Sequence, residues 1–235
     1  MIPKIIHYCW FGRGKKSKLI IRCIESWKKY CTDWEIIEWN EDNFDVFRNT
    51  FCRDAYMNKK WAFVSDYARF FALNKMGGVY LDTDVEIIKP IDLFLQNDLF
   101  AGYETNNWVA PGLILGSVSN HSILKQVLNE YDKAIFIDDN GQELHKTVGE
   151  YFTEELRNNG IEINGKTQII NGIAIYSKEY FCPFDDTTGV LTKTENTYTV
   201  HWYSKTWLNP MIRVRTKITR VIHRYFGKDF LKKLR

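Results

Sequence analysis

The stretch from Trp61 to Glu86, WAFVSDYARFFALNKMGGVYLDTDVE, limits what this chain can fold into more than any other. Val64, Tyr67, Ala68, Phe71, Ala72 and Met76 recur at three- and four-residue intervals, the period of an amphipathic helix, and Gly77-Gly78 supplies a helix stop. Val79-Tyr80-Leu81 follows with β propensity and no charge, as a strand buried on both faces does. A helix feeding a buried strand is half of an α/β unit. Asp82-Thr83-Asp84 then falls at the C-terminal end of that strand, the edge where open α/β sheets bind ligands.

The rest of the chain alternates in the same way. Strands are expected at Lys4 to Trp10, Trp34 to Trp39, Leu99 to Glu104, Gly112 to Ser117 and Ile169 to Tyr176. Helices are expected at about Lys18 to Tyr30, His121 to Ala134 and Glu143 to Asn158. This order predicts an α/β fold, a mixed and mainly parallel sheet covered by helices. With 235 residues and 45% hydrophobic content, one sizeable core and one domain are the expectation. No uninterrupted apolar run reaches about 18 residues and no signal-peptide pattern opens the chain, so the folded part is expected in the cytosol. Cys9, Cys23, Cys31, Cys52 and Cys182 are odd in number and scattered, which fits reduced thiols in the core better than disulfides or zinc.

Two side chains one residue apart on a strand point the same way, so Asp82 and Asp84 are expected to address one ion. Mg²⁺ and Mn²⁺ prefer oxygen ligands and keep positions open for phosphate oxygens; a carboxylate pair therefore suits a metal–diphosphate site. The plainer reading is a solvated acidic loop closing a strand. Asp66 and Arg69 share a helix face, and their plainer reading is a surface ion pair worth about 0.3 kcal/mol. Gly12-Arg13-Gly14 follows the first strand, but Ser17 stands where a dinucleotide fingerprint needs its third glycine, so a surface turn bordering a nucleotide is expected there. Haloacid-dehalogenase phosphatases also end a strand in D-x-D, yet they carry Thr or Val where this chain has Glu86.

Ser65-Asp66-Tyr67-Ala68-Arg69, Gly77-Gly78, Tyr80 and Asp82-Thr83-Asp84 together resemble the sugar-binding DXD region of a glycosyltransferase family. Its members include capsular-polysaccharide transferases and fungal initiating mannosyltransferases, with the large glucosylating bacterial toxins as distant relatives. Further patches agree: Ile2 to Gly12 resembles the family's opening strand, Glu38-Trp39-Asn40 its second-strand ending, and Ile175 to Pro183 and Thr197 to Leu208 its closing segments. The resemblance implies a GT-A type nucleotide-sugar domain over residues 1–210. It gives Trp10 to the nucleotide base, Asp66 and Arg69 to sugar and ribose hydroxyls, Tyr80 to the same pocket, Asp82 to ribose or metal, and Asp84 to the metal directly. His201 matches the first His of the closing H-H-x-x-x-S-W motif and becomes a metal ligand, with Trp207 donating to phosphate. Trp202, Lys205 and Thr206 replace the motif's second His, its Gly and its Ser; Thr206 keeps a hydroxyl and Lys205 adds a cation for the departing diphosphate. Asp84, Asp82 and Arg69 thus carry catalysis, Mn²⁺ or Mg²⁺ is the cofactor, and the anomeric configuration is retained by front-face attack. Double displacement through a carboxylate such as Glu104 is the weaker course.

Residues Met211 to Arg235 hold nine Lys and Arg against one acid, a net +8, which leaves the first 210 residues at −5 within the overall +3. Val214, Ile218, Val221, Ile222 and Tyr225 fall on one helical stripe after Pro210, flanked by Arg213, Lys217, Arg220 and Arg224. A basic amphipathic helix over 211–235 can lie on an anionic membrane surface, each basic residue there contributing about 1 kcal/mol. Its other reading is a terminal helix packing its apolar stripe on the domain. Nucleic acid is not expected, because the body of the chain is acidic. The sequence thus points to a retaining hexosyltransferase that uses a nucleotide-diphosphate sugar, with a UDP-sugar preferred. Its acceptor is expected to be a saccharide, lipid-linked, in surface polysaccharide synthesis, with the enzyme peripheral on the inner membrane face. Its rivals are a non-catalytic membrane-binding adaptor and a metal-dependent phosphohydrolase.

Overall fold

A computed structural model of the protein describes residues 1–138, 140–143, 146–206 and 209–227. In chain order β1 (Ile5–Cys9), α1 (Lys18–Tyr30) and β2 (Glu35–Trp39) make the opening crossover, followed by α2 (Thr50–Met57), α3 (Trp61–Met76), β3 (Gly78–Tyr80) and β4 (Val85–Ile87). The middle of the chain holds β5 (Leu99–Thr105), β6 (Trp108–Val109), β7 (Leu115–Ser117), α4 (Ser122–Lys133) and α5 (Val148–Asn158). Then come β8 (Gln168–Ile170), β9 (Ile173–Tyr176), α6 (Lys178–Phe181), β10 (Phe184–Asp185), β11 (Val190–Leu191), β12 (Thr199–His201) and α7 (Pro210–Phe226).

The central sheet runs β2-β1-β3-β7-β5-β9-β8, with β6 on β5. β1 pairs in parallel with β2 and β3, β5 in parallel with β9, and β7 runs against both β3 and β5. β1, β2, β3, β5 and β9 therefore end at one edge, bringing Trp10, Asn40, Asp82 and Glu104 towards one another from distant parts of the sequence. Alternation divides the core: Val79 and Leu81 enter one apolar cluster with Trp27, Phe94 and Phe181, while Tyr80 enters the other with Phe70, Tyr131 and Phe152.

The expected helix at α3 starts earlier and is less one-sided than its apolar period suggests. Asp66, Arg69, Phe70 and Leu73 are buried along with Val64, Tyr67, Ala68 and Ala72, because α3 lies between the sheet and its neighbours α2 and α4. The strand expected over Ile169 to Tyr176 is instead the hairpin β8–β9, with Ile170 opposite Ile173. Asn171 and Gly172 have φ of 48° and 79°, the two positive values of a two-residue hairpin turn for which Asn-Gly is the preferred pair. The helix expected from Glu143 begins at Val148, where Thr147 and Glu150 form a reciprocal capping box, and the strand expected from Gly112 begins only at Leu115.

His7 fastens β1 in place. Trp39 Nε1 can only donate, so it fixes His7 Nδ1 as an acceptor at 3.0 Å, and His7 Nε2 then donates to the Gly77 carbonyl at 2.8 Å. Burial lowers this imidazole to about 4, against the smaller upward pull of the Gly77 carbonyl. The five cysteines are free and buried, and burial pushes their thiols up. Among the described residues no helix is long and apolar enough to cross a membrane.

Candidate active site

The first half of the site hangs on α3 and the strand it feeds. Asp66 and Arg69 meet inside the protein, with Arg69 Nη2 donating to Asp66 Oδ1 at 2.7 Å and lying 3.4 Å from Asp82 Oδ1. The Arg69 side chain is 4% exposed, so the pair is no surface ion pair. Its guanidinium carbon sits 4.7 Å from the centre of the Tyr80 ring, and the Tyr80 hydroxyl donates to Asp82 Oδ1 at 3.0 Å. Burial raises the Asp66 carboxyl to about 7 even though Arg69 pulls it down. Arg69 Nη1 is buried without a hydrogen-bond partner. A buried donor with no acceptor costs about 1–3 kcal/mol, and such a group at a sheet edge is a site for a ligand oxygen.

Gly112 makes room for this cluster. A Cβ there would stand 2.1 Å from Asp82 Oδ2 and 3.0 Å from Arg69 Nη1, while the Gly112 carbonyl accepts from the Asp82 amide at 3.0 Å. Nothing in the sequence singles Gly112 out.

β3 ends at Tyr80, and residues 82–84 form a turn closed by the Val85 amide on the Asp82 carbonyl at 3.0 Å. Strand alternation therefore does not set the direction of the two carboxylates, because the chain has already turned. Asp82 bonds Tyr80 and lies beside Arg69, Asp84 bonds the closing segment, and the charges of both pull on the His201 imidazole. There His201 Nε2 lies 3.0 Å from Asp84 Oδ1, and the Ser204 amide donates to Asp84 Oδ2 at 2.6 Å. The pairing of β12 with β4, His201 opposite Val85, carries the imidazole across 117 residues to this carboxylate. Burial alone would raise the Asp84 carboxyl, but His201 and Ser204 outweigh it and hold it well below the usual carboxylate range. The His201 imidazole is raised, since Asp84 overcomes its burial.

The loop after His201 explains the departures from the closing motif. Tyr203 and Lys205 have φ of 49° and 50°, a region that L residues enter at a cost and glycine enters freely. Lys205, expected at the motif's Gly position, adopts a left-handed backbone that costs a lysine more than a glycine. Trp202, in place of the second His, turns away from Asp84; its indole N–H donates to Glu86 Oε2 at 2.8 Å and the Arg22 guanidinium lies 5.1 Å from its ring. Tyr203 packs on His201 at 4.0 Å between ring centres and donates its hydroxyl to Glu104 Oε1 at 2.8 Å. Thr206 is exposed, and Trp207 lies outside the described residues.

Trp10 lines a separate cleft at the same edge. Arg13, Gly14 and Lys16 border it on one side, and Glu38, Asn40 and Glu41 on the other. The indole N–H donates to the Gly14 carbonyl at 2.7 Å, and Lys16, paired with Glu38 at 2.8 Å, sits 5.3 Å from the ring centre. The Gly12 turn thus shapes this cleft, with Trp61 so close that a Cβ on Gly12 would stand 2.5 Å from its ring.

Two donors suit a divalent ion. Asp84 Oδ1 and His201 Nε2, 3.0 Å apart, have the spacing of neighbouring ligands around an ion with bonds of about 2.1 Å. Among the described residues no group of three or more His, Cys, Asp and Glu side chains is arranged to hold a metal. One carboxylate and one imidazole suit a borderline ion such as Mn²⁺ better than Mg²⁺, which prefers oxygen ligands, with water and diphosphate oxygens able to complete the shell.

Several known proteins are similar to this chain in sequence or fold. The family described as glycosyltransferase sugar-binding region containing DXD motif matches residues 17–104. Inositol phosphoceramide mannosyltransferase 1 of Schizosaccharomyces pombe is 27% identical over 150 residues, which are 56% of this chain and 43% of the relative, so the chain spans less than half of that protein. An uncharacterized glycosyltransferase of Acanthamoeba polyphaga mimivirus is 25% identical over 224 residues, 88% of this chain and 84% of the relative. Among solved structures, the PaToxG glycosyltransferase superposes with a TM-score of 0.51 at 18% identity, covering 68% of this chain and 70% of that one, a likeness of fold. The mixed, mainly parallel sheet is accordingly the GT-A arrangement. Over residues 17–104 the chain is thus similar to the glycosyltransferases that carry this sugar-binding motif.

Proposed function

We propose that the protein transfers a hexose, with retention, from a nucleotide-diphosphate sugar to a saccharide acceptor. The observation that carries this reading is the buried Asp84 carboxylate. It is held by His201 and the Ser204 amide at the turn of the DXD motif, two residues from Asp82, which lies 3.4 Å from the Arg69 guanidinium with its unpartnered Nη1. Asp84 and His201 would hold Mn²⁺ or Mg²⁺, which supplies Lewis-acid stabilisation of a diphosphate leaving group. Asp66, Arg69 and Asp82 accept and donate to sugar and ribose hydroxyls, Trp10 offers a face to the base, and Lys205 adds positive charge near the departing phosphates. The buried walls around Tyr80 exclude water from the sugar. Among the described residues no side chain declares itself a nucleophile on the anomeric carbon, and the reading is attack by the acceptor on the face the diphosphate leaves.

A UDP-sugar is the preferred donor. The acceptor is read as lipid-linked, in line with the name of the similar Schizosaccharomyces pombe protein, inositol phosphoceramide mannosyltransferase 1. On the apolar stripe of α7, Val214, Ile218, Val221 and Tyr225 are more than half exposed and Ile222 is partly buried, so most of the stripe is open to solvent. That supports peripheral attachment to an anionic inner membrane face, with the body of the enzyme in the cytoplasm and surface polysaccharide as the product. The division at residue 210 between catalytic domain and basic helix belongs to the same reading.

The test is a binding and hydrolysis screen of UDP- and GDP-sugars with Mn²⁺, run on the protein and on Asp84→Asn. Metal-dependent affinity for one donor, lost in the variant, supports the reading and names the nucleotide. Hydrolysis of simple phosphate esters without sugar transfer points to a phosphohydrolase. A folded chain that binds no donor but binds anionic vesicles is an adaptor.

A further inference from the structure

Two basic residues of α7, Arg220 and Arg224, reach back onto the domain. Arg220 Nε donates to the Asp186 carbonyl at 2.9 Å, its guanidinium pairs with the Asp186 carboxylate, and Nη2 reaches the Tyr203 carbonyl at 3.4 Å. The other Asp186 oxygen takes the Lys205 ammonium at 2.6 Å. One carboxylate at the turn of the β10–β11 hairpin therefore joins the helix to the loop after His201. A guanidinium fork is well suited to bridge a carboxylate and a carbonyl at once, and at 17% side-chain exposure this one is largely shielded from water.

The loop so held is the strained one. Tyr203 and Lys205 both have positive φ, and Ser204 between them sends its amide to Asp84 Oδ2 at 2.6 Å. Such a conformation persists only where surrounding contacts over-determine it. Tyr203 is fixed by Glu104 through its hydroxyl and by Arg220 through its carbonyl, and Lys205 is fixed by Asp186. Arg224, one turn further along α7, grips the carbonyls of Thr188 and Gly189; it docks the same helix on the same hairpin but makes no bond to the loop.

We propose that Asp186 and Arg220 are positioning residues for the nucleotide site, a clamp that keeps residues 203–205 in the shape that presents the Ser204 amide to Asp84 and Lys205 to the diphosphate. The C-terminal helix then has an inward task separate from any membrane contact. The ligand in this proposal rests on the nucleotide-sugar reading; the clamp itself rests on the contacts.

The experiment compares Arg220→Gln, Arg220→Lys, Asp186→Asn, the Arg220→Gln/Asp186→Asn double variant and the control Arg224→Gln, all in the full chain without vesicles. Binding of UDP and GDP with Mn²⁺, donor hydrolysis, thermal unfolding and amide hydrogen exchange over residues 203–206 are measured. Arg220→Gln and Asp186→Asn are each expected to weaken nucleotide binding and raise the donor KM about tenfold, the worth of one charged hydrogen bond, with a smaller change in kcat. Arg220→Lys restores part of the loss, and the double variant is no worse than either single change, as residues acting through one contact require. Faster exchange at Ser204 accompanies the loss, while Arg224→Gln leaves both readouts where they were.

Equal effects from Arg224→Gln and Arg220→Gln would mean that general docking of the helix matters and would overturn the clamp. So would unchanged exchange at Ser204 in Arg220→Gln and Asp186→Asn, or additive losses in the double variant. A parent chain that binds neither UDP nor GDP, yet shows the exchange pattern described, removes the nucleotide reading and leaves the clamp standing. If Arg220→Gln unfolds, Arg220→Lys and Asp186→Asn carry the same comparison.

Discussion

The two halves of the site are built by opposite means. Asp66, Arg69, Tyr80 and Asp82 come from one stretch of 17 residues, set by a helix and the strand it feeds, and are locked into the core. His201, Ser204 and Lys205 come from far along the chain, on a short strand and a loop in unfavourable backbone geometry, held by Glu104, Asp186 and Arg220. The first half is part of what folds the protein. The second is placed on it by polar contacts, so it can be altered with much less damage to stability.

The sharpest way to break that comparison is to remove one charge from each half. Arg69→Met leaves the Asp66 carboxyl buried without its partner, and removal of one member of a buried pair costs about 3–5 kcal/mol. His201→Gln removes a partner from Asp84 but leaves the Ser204 amide in place, for a loss of about 1–2 kcal/mol. Urea unfolding of the two variants is expected to show that gap, while Mn²⁺-dependent donor binding is lost in both. Equal stability losses would mean that the closing segment is as deeply built into the fold as α3.

The first half was legible in sequence because its elements are local. Three-residue spacing put Asp66 and Arg69 on one helix face, and Gly77-Gly78 ended the helix where the structure ends it, with Gly77 at φ 67°. Burial of the pair was not legible, since the apolar period implies a polar outer face and only the packing of α2 and α4 removes it. Nor was the turn that parts Asp82 from Asp84, which a count of alternating positions cannot see. His201 and Lys205 were singled out by resemblance to a motif, and the structure brings His201 to Asp84. Ser204, Asp186 and Gly112 had no such signal: what matters at Ser204 is its backbone amide, at Asp186 a partner 34 residues away, and at Gly112 the absence of a Cβ.

A second test addresses the scaffold below the first half. His7 is neutral in the fold, with its imidazole lowered to about 4 by burial. In the unfolded chain it takes a proton near its ordinary value of about 6.5, so between 6.5 and 4 the unfolded state binds more protons than the native one. Stability therefore falls as pH drops through that window, by at most roughly 3 kcal/mol from this group. The raised Asp66 carboxyl slopes the other way, favouring the fold as pH drops from about 7. The measurement is thus the difference between parent and His7→Gln, whose stability is expected to lose the His7 share of the slope. A difference that stays constant from pH 7 to 4 would show that this imidazole is not held neutral.

Gly112→Ala tests whether the first half is crowded to its limit. A Cβ there meets Asp82 Oδ2 at 2.1 Å, so the carboxylate must move away from Arg69 and Tyr80. Overpacking of this kind costs about 1–3 kcal/mol, and donor affinity should fall with Asp82 displaced. Binding of UDP at fixed Mn²⁺ checks it; unchanged affinity would remove Asp82 from the donor contacts.

The smallest effect separates strain from charge in the second half. Lys205→Ala and Lys205→Gly both remove the ammonium and its bond to Asp186, so both should weaken binding of the diphosphate to a similar degree. They differ in the backbone: at φ 50° alanine still bears the left-handed cost that glycine avoids, which is worth about 1 kcal/mol. Glycine gives part of that back through the greater freedom of its unfolded chain. Lys205→Gly is therefore expected to be the more stable of the two by about 0.5–1 kcal/mol in thermal unfolding, with matching nucleotide affinities. A glycine variant no more stable than the alanine one would show that the loop relaxes once Lys205 lets go of Asp186. In that case the shape of residues 203–205 belongs to the clamp and not to the loop's own sequence.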